Sequence, residues 1–311
     1  MIDKLIEDIL EKKNPSVVGL DPTPEIMPDF LKAKYFERMG MSAAAYAGMF
    51  LEFNRAVIDA VYEIVPAVKP QIAMYERFGI PGLQAYNATC EYAQGRGLTV
   101  IGDIKRGDIS STALAYAAHL GGVIINGEHQ DTWSEDAVTV NPYLGTDGIK
   151  PFLNQCDAYK KGIFILVRTS NPSSAEIQEQ ELADGRRLFE AVGDLTEKWG
   201  EYLIGGHGYS EVGAVVGATH REQGELLRKR MPHTFFLVPG YGAQGGKADD
   251  VAGFFDEKGL GAIISSSRGI TAAYKKDPKY GEKDYAQAAA DAAVRMREDL
   301  AAALNRKGIT Y

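Results

Sequence analysis

Eight short apolar segments, rich in β-branched residues, recur along the chain, beginning at Ser16, Pro66, Leu98, Ala137, Gly162, Val212, Thr234 and Gly261. Stretches with helical spacing separate them, and no hairpin signal joins one segment to the next. Strands linked through helices pair in parallel, so this alternation constrains the fold more than any other feature. Eight units within 311 residues predict an α/β fold, a single (β/α)8 barrel. An open doubly wound sheet is the alternative, but no G-x-G-x-x-G follows the first strand. Helices are expected over about 42–64, Pro81–Gly95, Ser110–Leu120, Glu176–Tyr202, Arg221–Met231 and Tyr285–Leu304, with Ser110, Ser111 or Thr112 capping the third.

A barrel of this kind places its active site at the C-terminal strand ends. Those ends carry Asp21, Lys69, Asp103 with Lys105, Asn141, Thr169 with Ser170, and Arg268. Asn141 precedes Pro142 and reads as a turn residue. The third segment ends in four charges, Asp103, Lys105, Arg106 and Asp108. Strand alternation aims Asp103 and Lys105 at the same face, and Gly107 frees Asp108 to turn toward that lysine or away from it. The plain alternative is a solvated strand end with local ion pairs. Phosphate chemistry is suggested by Pro239–Gly246, whose glycines and Gln244 precede the eighth segment, and by Ser267-Arg268-Gly269 at that segment's end.

Composition closes off other classes. A net charge of −8 disfavours nucleic-acid and membrane-surface partners. Two cysteines, Cys90 and Cys156, and five histidines show no metal-ligand spacing, so an intrinsic zinc site is not expected, no cofactor motif is evident, and a reducing, cytoplasmic setting fits. Ile2, Leu5, Ile6, Ile9 and Leu10 form an amphipathic helix rather than a signal peptide, and no apolar run is long enough to span a bilayer.

Several motifs together resemble a known family over nearly the whole chain: Gly19-Leu20-Asp21-Pro22, Val68-Lys69-Pro70, Asp103-Ile104-Lys105-Arg106-Gly107-Asp108-Ile109, Arg168-Thr169-Ser170-Asn171-Pro172, Pro239–Gly246 and Ser266-Ser267-Arg268. The sequence is similar to the orotidine 5'-phosphate decarboxylases, in their longer bacterial (type 2) form. The resemblance implies conversion of orotidine 5'-phosphate to uridine 5'-phosphate and CO2 without a metal. Lys105 would donate the proton to C6, Asp103 would sit beside the substrate carboxylate, and Lys69 would bridge Asp103 and the ribose. Asp21 would bind ribose hydroxyls and Ser170 the pyrimidine edge. Gln244 would close over the phosphate, which Arg268 holds beside Ser267. The family also implies a homodimer in which Asp108, with Ile109 and Thr112, reaches the neighbouring subunit's site. Residues 1–311 would form one barrel domain, with additional segments near 27–49 and 173–208 expected as surface helices or dimer cover.

Three other readings stay open at this point. The same D-x-K-x-x-D pattern occurs in Mg2+-dependent sugar-phosphate decarboxylases and aldol-type synthases of this barrel group, where the aspartates would hold the metal. A Schiff-base aldolase using Lys69 or Lys105 is a weaker case, because flanking carboxylates keep a lysine protonated. A non-catalytic nucleotide-binding protein would retain the pocket without turnover.

Overall fold

The computed structural model describes residues 1–242 and 245–310. Eight parallel strands close into a barrel: β1 (Ser16–Leu20), β2 (Ala67–Pro70), β3 (Thr99–Arg106), β4 (Ala137–Val140), β5 (Gly162–Arg168), β6 (Val212–Val216), β7 (Phe236–Val238) and β8 (Ala262–Ser266). Each strand pairs with the next in the chain, and β8 returns to β1 through Ser16–Ile264 and Val17–Ser265. The (β/α)8 expectation holds, and the open sheet does not.

The barrel interior is built in layers, as the period of two along a strand requires. Val17, Ala67, Ile101, Ala137, Phe164, Val215, Leu237 and Ile263, one from each strand, share a buried cluster with Ile2, Leu5, Ile6 and Ile9 of the helix Ile2–Lys12. That helix closes the N-terminal end, its apolar stripe turned inward. Two residues further along stand Gly19, Lys69, Asp103, Thr139, Leu166 and Ser265 within their strands, and Gly217 and Pro239 just past the ends of β6 and β7. The inward direction that makes the lower layer apolar therefore also aims these groups into the barrel mouth.

Outside the barrel run the helices Ala43–Val61, Gly79–Gly95, Ser110–Gly121, Thr146–Tyr159, Leu188–Gly200, Arg221–Arg230 and Tyr285–Arg306. Three details depart from expectation. The helix at Ser110 has no side-chain cap; Ile109 is its N-cap, and Asp108 Oδ1 accepts the Ile109 N–H at 2.8 Å instead. The span Glu176–Tyr202 is not one helix. Ala175–Gln178 and Leu188–Gly200 are separated by a reversal in which Glu181 bridges Arg187 and Gly185 adopts φ 83°. Finally, a hairpin pairs Val123–Ile125 with Glu128–Gln130 within the β3–β4 connection. Asn126 and Gly127, both at positive φ, make the two-residue turn that such a hairpin favours.

The segment near 27–49 contains the helix Asp29–Met39, which packs on Ala43–Val61. Tyr35 donates to Glu52 Oε2 at 2.9 Å, and Phe36 meets Tyr46 edge-on. Cys90 and Cys156 are both fully buried thiols, and burial raises the pKa of each. Among the described residues, no helix is long and apolar enough to cross a membrane.

Candidate active site

At the C-terminal mouth lies a cavity of about 570 Å³, bordered by Asp21, Lys69, Asp103, Lys105, Ser170, Ser267 and Arg268, with Leu166, Val215, Leu237 and Pro239 supplying apolar surface. Asp103 is its electrostatic centre. Its carboxylate is buried and accepts four hydrogen bonds: from Lys69 Nζ at 2.7 Å and Gln71 Nε2 at 2.9 Å on Oδ2, and from Lys105 Nζ and Thr139 Oγ1 (3.0 Å) on Oδ1. Burial alone would raise the Asp103 pKa, but Lys69 and Lys105 outweigh it and hold the group well below the usual carboxylate range. The converse applies to Lys69. Burial would lower its pKa, and Asp103, then Asp21, raise it instead. Both groups are thus charged across the neutral range.

Lys105 reaches Asp103 by a less regular route than simple alternation. Gly102 pairs with Val138 while Arg106 pairs with Val140, so β3 bulges between them. Lys105 stands at φ 46°, an uncommon backbone for a non-glycine residue, and its N–H bonds Thr139 Oγ1 at 3.0 Å rather than a ladder carbonyl. Bulges beside active sites re-aim side chains, and this one carries the Lys105 ammonium, about half exposed, over the buried carboxylate.

The remaining predicted groups fall into two sets. Asp21, Ser170, Ser267 and Arg268 line the cavity with the array. Asp21 Oδ1 is a buried acceptor without a partner among the described residues, as a site for a ligand hydroxyl requires. Ser267 sits against Gly19, where an added Cβ would fall 2.0 Å from Ser267 Oγ, so only glycine admits this approach of β1 to the β8 loop. Arg268 is exposed at the mouth, unpaired with any carboxylate among the described residues. Asp108, Ile109 and Thr112 form the other set. They do not line this cavity, and Asp108 accepts the Ile109 N–H and forms no ion pair with Lys105 of its own chain. Gln244 lies outside the described residues. Asn141 is the turn residue its position suggested, its Oδ1 accepting the Tyr143 N–H at 3.0 Å.

Sequence reasoning passed over Gln71, Thr139 and Gln178. A polar Thr139 inside the buried run Ala137–Val140 was a readable signal for an inward hydrogen bond, and Gln71 follows Lys69-Pro70 directly. Gln178 belongs to the segment near 173–208 expected to form surface, yet it borders the cavity.

A barrel whose packed interior is topped by a Lys–Asp–Lys array centred on a buried carboxylate, with an arginine after the eighth strand unpaired among the described residues, defines an enzyme class that acts on small anionic substrates. The chain belongs to the orotidine 5'-phosphate decarboxylase / HUMPS family, whose model matches residues 17–282. It is 41% identical over 304 residues to the orotidine 5'-phosphate decarboxylase of Caldicellulosiruptor saccharolyticus, covering 97% of this chain and 98% of that one. The Clostridium tetani enzyme of the same name is 41% identical, with coverage of 99% and 100%. Among solved structures, the OMP decarboxylase of Leishmania donovani superposes with a TM-score of 0.69 at 29% identity, covering 96% of this chain and 98% of that one.

Proposed function

We propose that this chain, read as one functional unit, decarboxylates orotidine 5'-phosphate to uridine 5'-phosphate and CO2, the closing step of de novo UMP synthesis. The observation that carries the reading is the filled coordination of Asp103. Two carboxylate oxygens offer about four lone-pair positions, and Lys69, Gln71, Lys105 and Thr139 take all four. A carboxylate committed to two ammonium groups is an electrostatic device, and it offers no free position to a Mg2+ ion. The same pairing holds Lys69 in its charged form against the pull of burial and makes it a poor Schiff-base nucleophile.

The chemistry follows from that field. Breaking the bond from C6 to the carboxylate carbon releases CO2 and leaves the electron pair in an orbital that the ring cannot delocalise. The Lys105 ammonium, fixed before the substrate binds, stabilises that charge and then transfers a proton to C6; the neutral amine recovers its proton from water. Asp103 keeps Lys105 aimed, and Lys69 helps keep Asp103 ionised. Lys69 and Asp21 meet the ribose, Ser170 meets the base, and Ser267 and Arg268 meet the phosphate. Binding energy gathered at that remote phosphate is expressed at the reacting carbon.

We read the active form as a homodimer in which Asp108, Ile109 and Thr112 complete the partner's site. The support is that Asp108 contacts the Ile109 N–H and forms no ion pair with its own Lys105, and that exposed apolar side chains are concentrated in the stretch that follows: Ile109, Leu114, Val123, Ile124 and Ile125 are all exposed, Ile124 by 69%. Single exposed apolar residues are ordinary, but a cluster this dense marks an interaction surface.

The deciding experiment follows loss of orotidine 5'-phosphate absorbance with and without EDTA. Turnover indifferent to the chelator is expected; turnover abolished by it would favour the metal-dependent sister activities, and nucleotide binding without turnover would favour a binding protein. Mixing inactive Lys105→Ala and Asp108→Asn variants then tests the shared site. Random exchange should restore roughly a quarter of the parent rate, since half the dimers are mixed and each has one intact site.

A further inference from the structure

The mechanism above leaves one buried cation unused. Arg168 ends β5 and is 1% exposed. A guanidinium withdrawn from water must have its donors matched, and here they are. Nε donates to Gln223 Oε1, Nη1 to Ser174 Oγ and, at 3.1 Å, to Gln178 Oε1, and Nη2 to Glu179 Oε1 at 2.6 Å. Three of these acceptors, Ser174, Gln178 and Glu179, come from the short stretch just after the β5 loop. Arg168 therefore clamps the beginning of the 173–208 segment against the barrel rim.

Gln178 passes that constraint on. The same Oε1 accepts the Thr169 N–H at 2.9 Å, and Nε2 donates to Thr169 Oγ1 at 2.8 Å. Both ends of one amide thus grip the residue preceding Ser170. On its other side Ser170 rests against Gly217, where an added Cβ would come within 2.8 Å of Ser170 Cα and Cβ. Ser170 is held between the Gln178–Thr169 pair and the end of β6, and Gln178, Thr169 and Ser170 all border the substrate cavity.

We propose that Gln178, anchored by Arg168, is a positioning residue that sets Ser170 against the base of the nucleotide, so that the 173–208 segment contributes to base recognition. This rests on the nucleotide reading above, and it makes a separate prediction. A group acting through Ser170 affects ligands that carry a base and spares those that carry only the sugar phosphate.

The test compares calorimetric affinities for uridine 5'-phosphate and ribose 5-phosphate in the parent, Gln178→Ala, Ser170→Ala and the double variant. Gln178→Ala and Ser170→Ala should each weaken uridine 5'-phosphate by about tenfold, and the double variant should be little worse than either. Ribose 5-phosphate should bind all four proteins within about twofold of one another. Gln178→Glu, which keeps an acceptor toward Arg168 and the Thr169 N–H, should recover most of the lost affinity. Additive losses in the double variant, equal losses for both ligands, or unchanged binding in Gln178→Ala would overturn the proposal. A parent protein that shows no preference for uridine 5'-phosphate over ribose 5-phosphate would instead overturn the nucleotide reading itself.

Discussion

Replacing Lys69 by methionine isolates the electrostatics of the array. Lys69 Nζ lies 2.7 Å from Asp103 Oδ2, and both side chains are nearly inaccessible. At that separation the attraction is about 6 kcal/mol at an effective dielectric near 20, partly offset by the cost of holding the ammonium out of water. Deleting one partner of a buried pair costs about 3–5 kcal/mol, because the other charge is left behind. Lys69→Met removes that much, reduced to the extent that Lys105, Gln71 and Thr139 still serve Asp103. The pH dependence carries the signature. Asp103 is depressed, so its stabilisation is fully present above the ordinary carboxylate value of about 3.9 and is lost as pH falls toward the folded-state value. Lys69 is raised, so its share is fully present below about 10.4 and is lost as pH climbs through its folded value. Urea unfolding at fixed protomer concentration, from acid to alkaline pH, should show both limbs shrinking in Lys69→Met. A variant within about 1 kcal/mol of the parent at pH 7, with an unchanged acid limb, would refute the claim that this ammonium holds Asp103 ionised.

Lys105→Ala should lose at least about 10⁴-fold in kcat, the combined scale of a lost proton donor and a lost charge stabiliser, while still binding uridine 5'-phosphate by calorimetry. Arg268→Ala should lower kcat/KM for orotidine 5'-phosphate by about 10- to 100-fold, the scale of a charged hydrogen bond, yet leave the phosphate-free nucleoside unaffected. Ile124→Asp places a charge on the exposed hairpin and should shift sedimentation toward monomer, with specific activity falling on dilution; an unchanged dimer would remove the hairpin from the interface.

The barrel was legible because its signal is repeated. One inward position per strand had to be apolar, and the same phase two residues later placed Lys69 and Asp103 in the barrel mouth. The partners of Asp103 were harder to read. Thr139 and Gln71 look like ordinary strand-end residues until the bulge in β3 brings the Lys105 backbone to the threonine hydroxyl. The Asn126-Gly127 hairpin had a local signal, but it sits within a connection where strand–helix alternation gives no reason to expect it. Gln178 had none, because its role comes from a three-way contact among Arg168, Thr169 and its own amide, which no spacing encodes. For Asp108 the sequence left both directions open, because Gly107 lets the chain turn toward Lys105 or away from it, and only the fold shows its carboxylate on the Ile109 N–H.

The two thiols have a practical consequence. Cys90 and Cys156 are the chain's only cysteines, both sealed in the core with thiolate formation suppressed by burial. A maleimide or nitroxide reagent therefore meets an almost silent background in the native protein. A cysteine introduced at Ile124 or Leu114, both well exposed, would take the label alone. Probe-to-probe distances would then test the proposed dimer in solution without first stripping the native sulfurs from the fold.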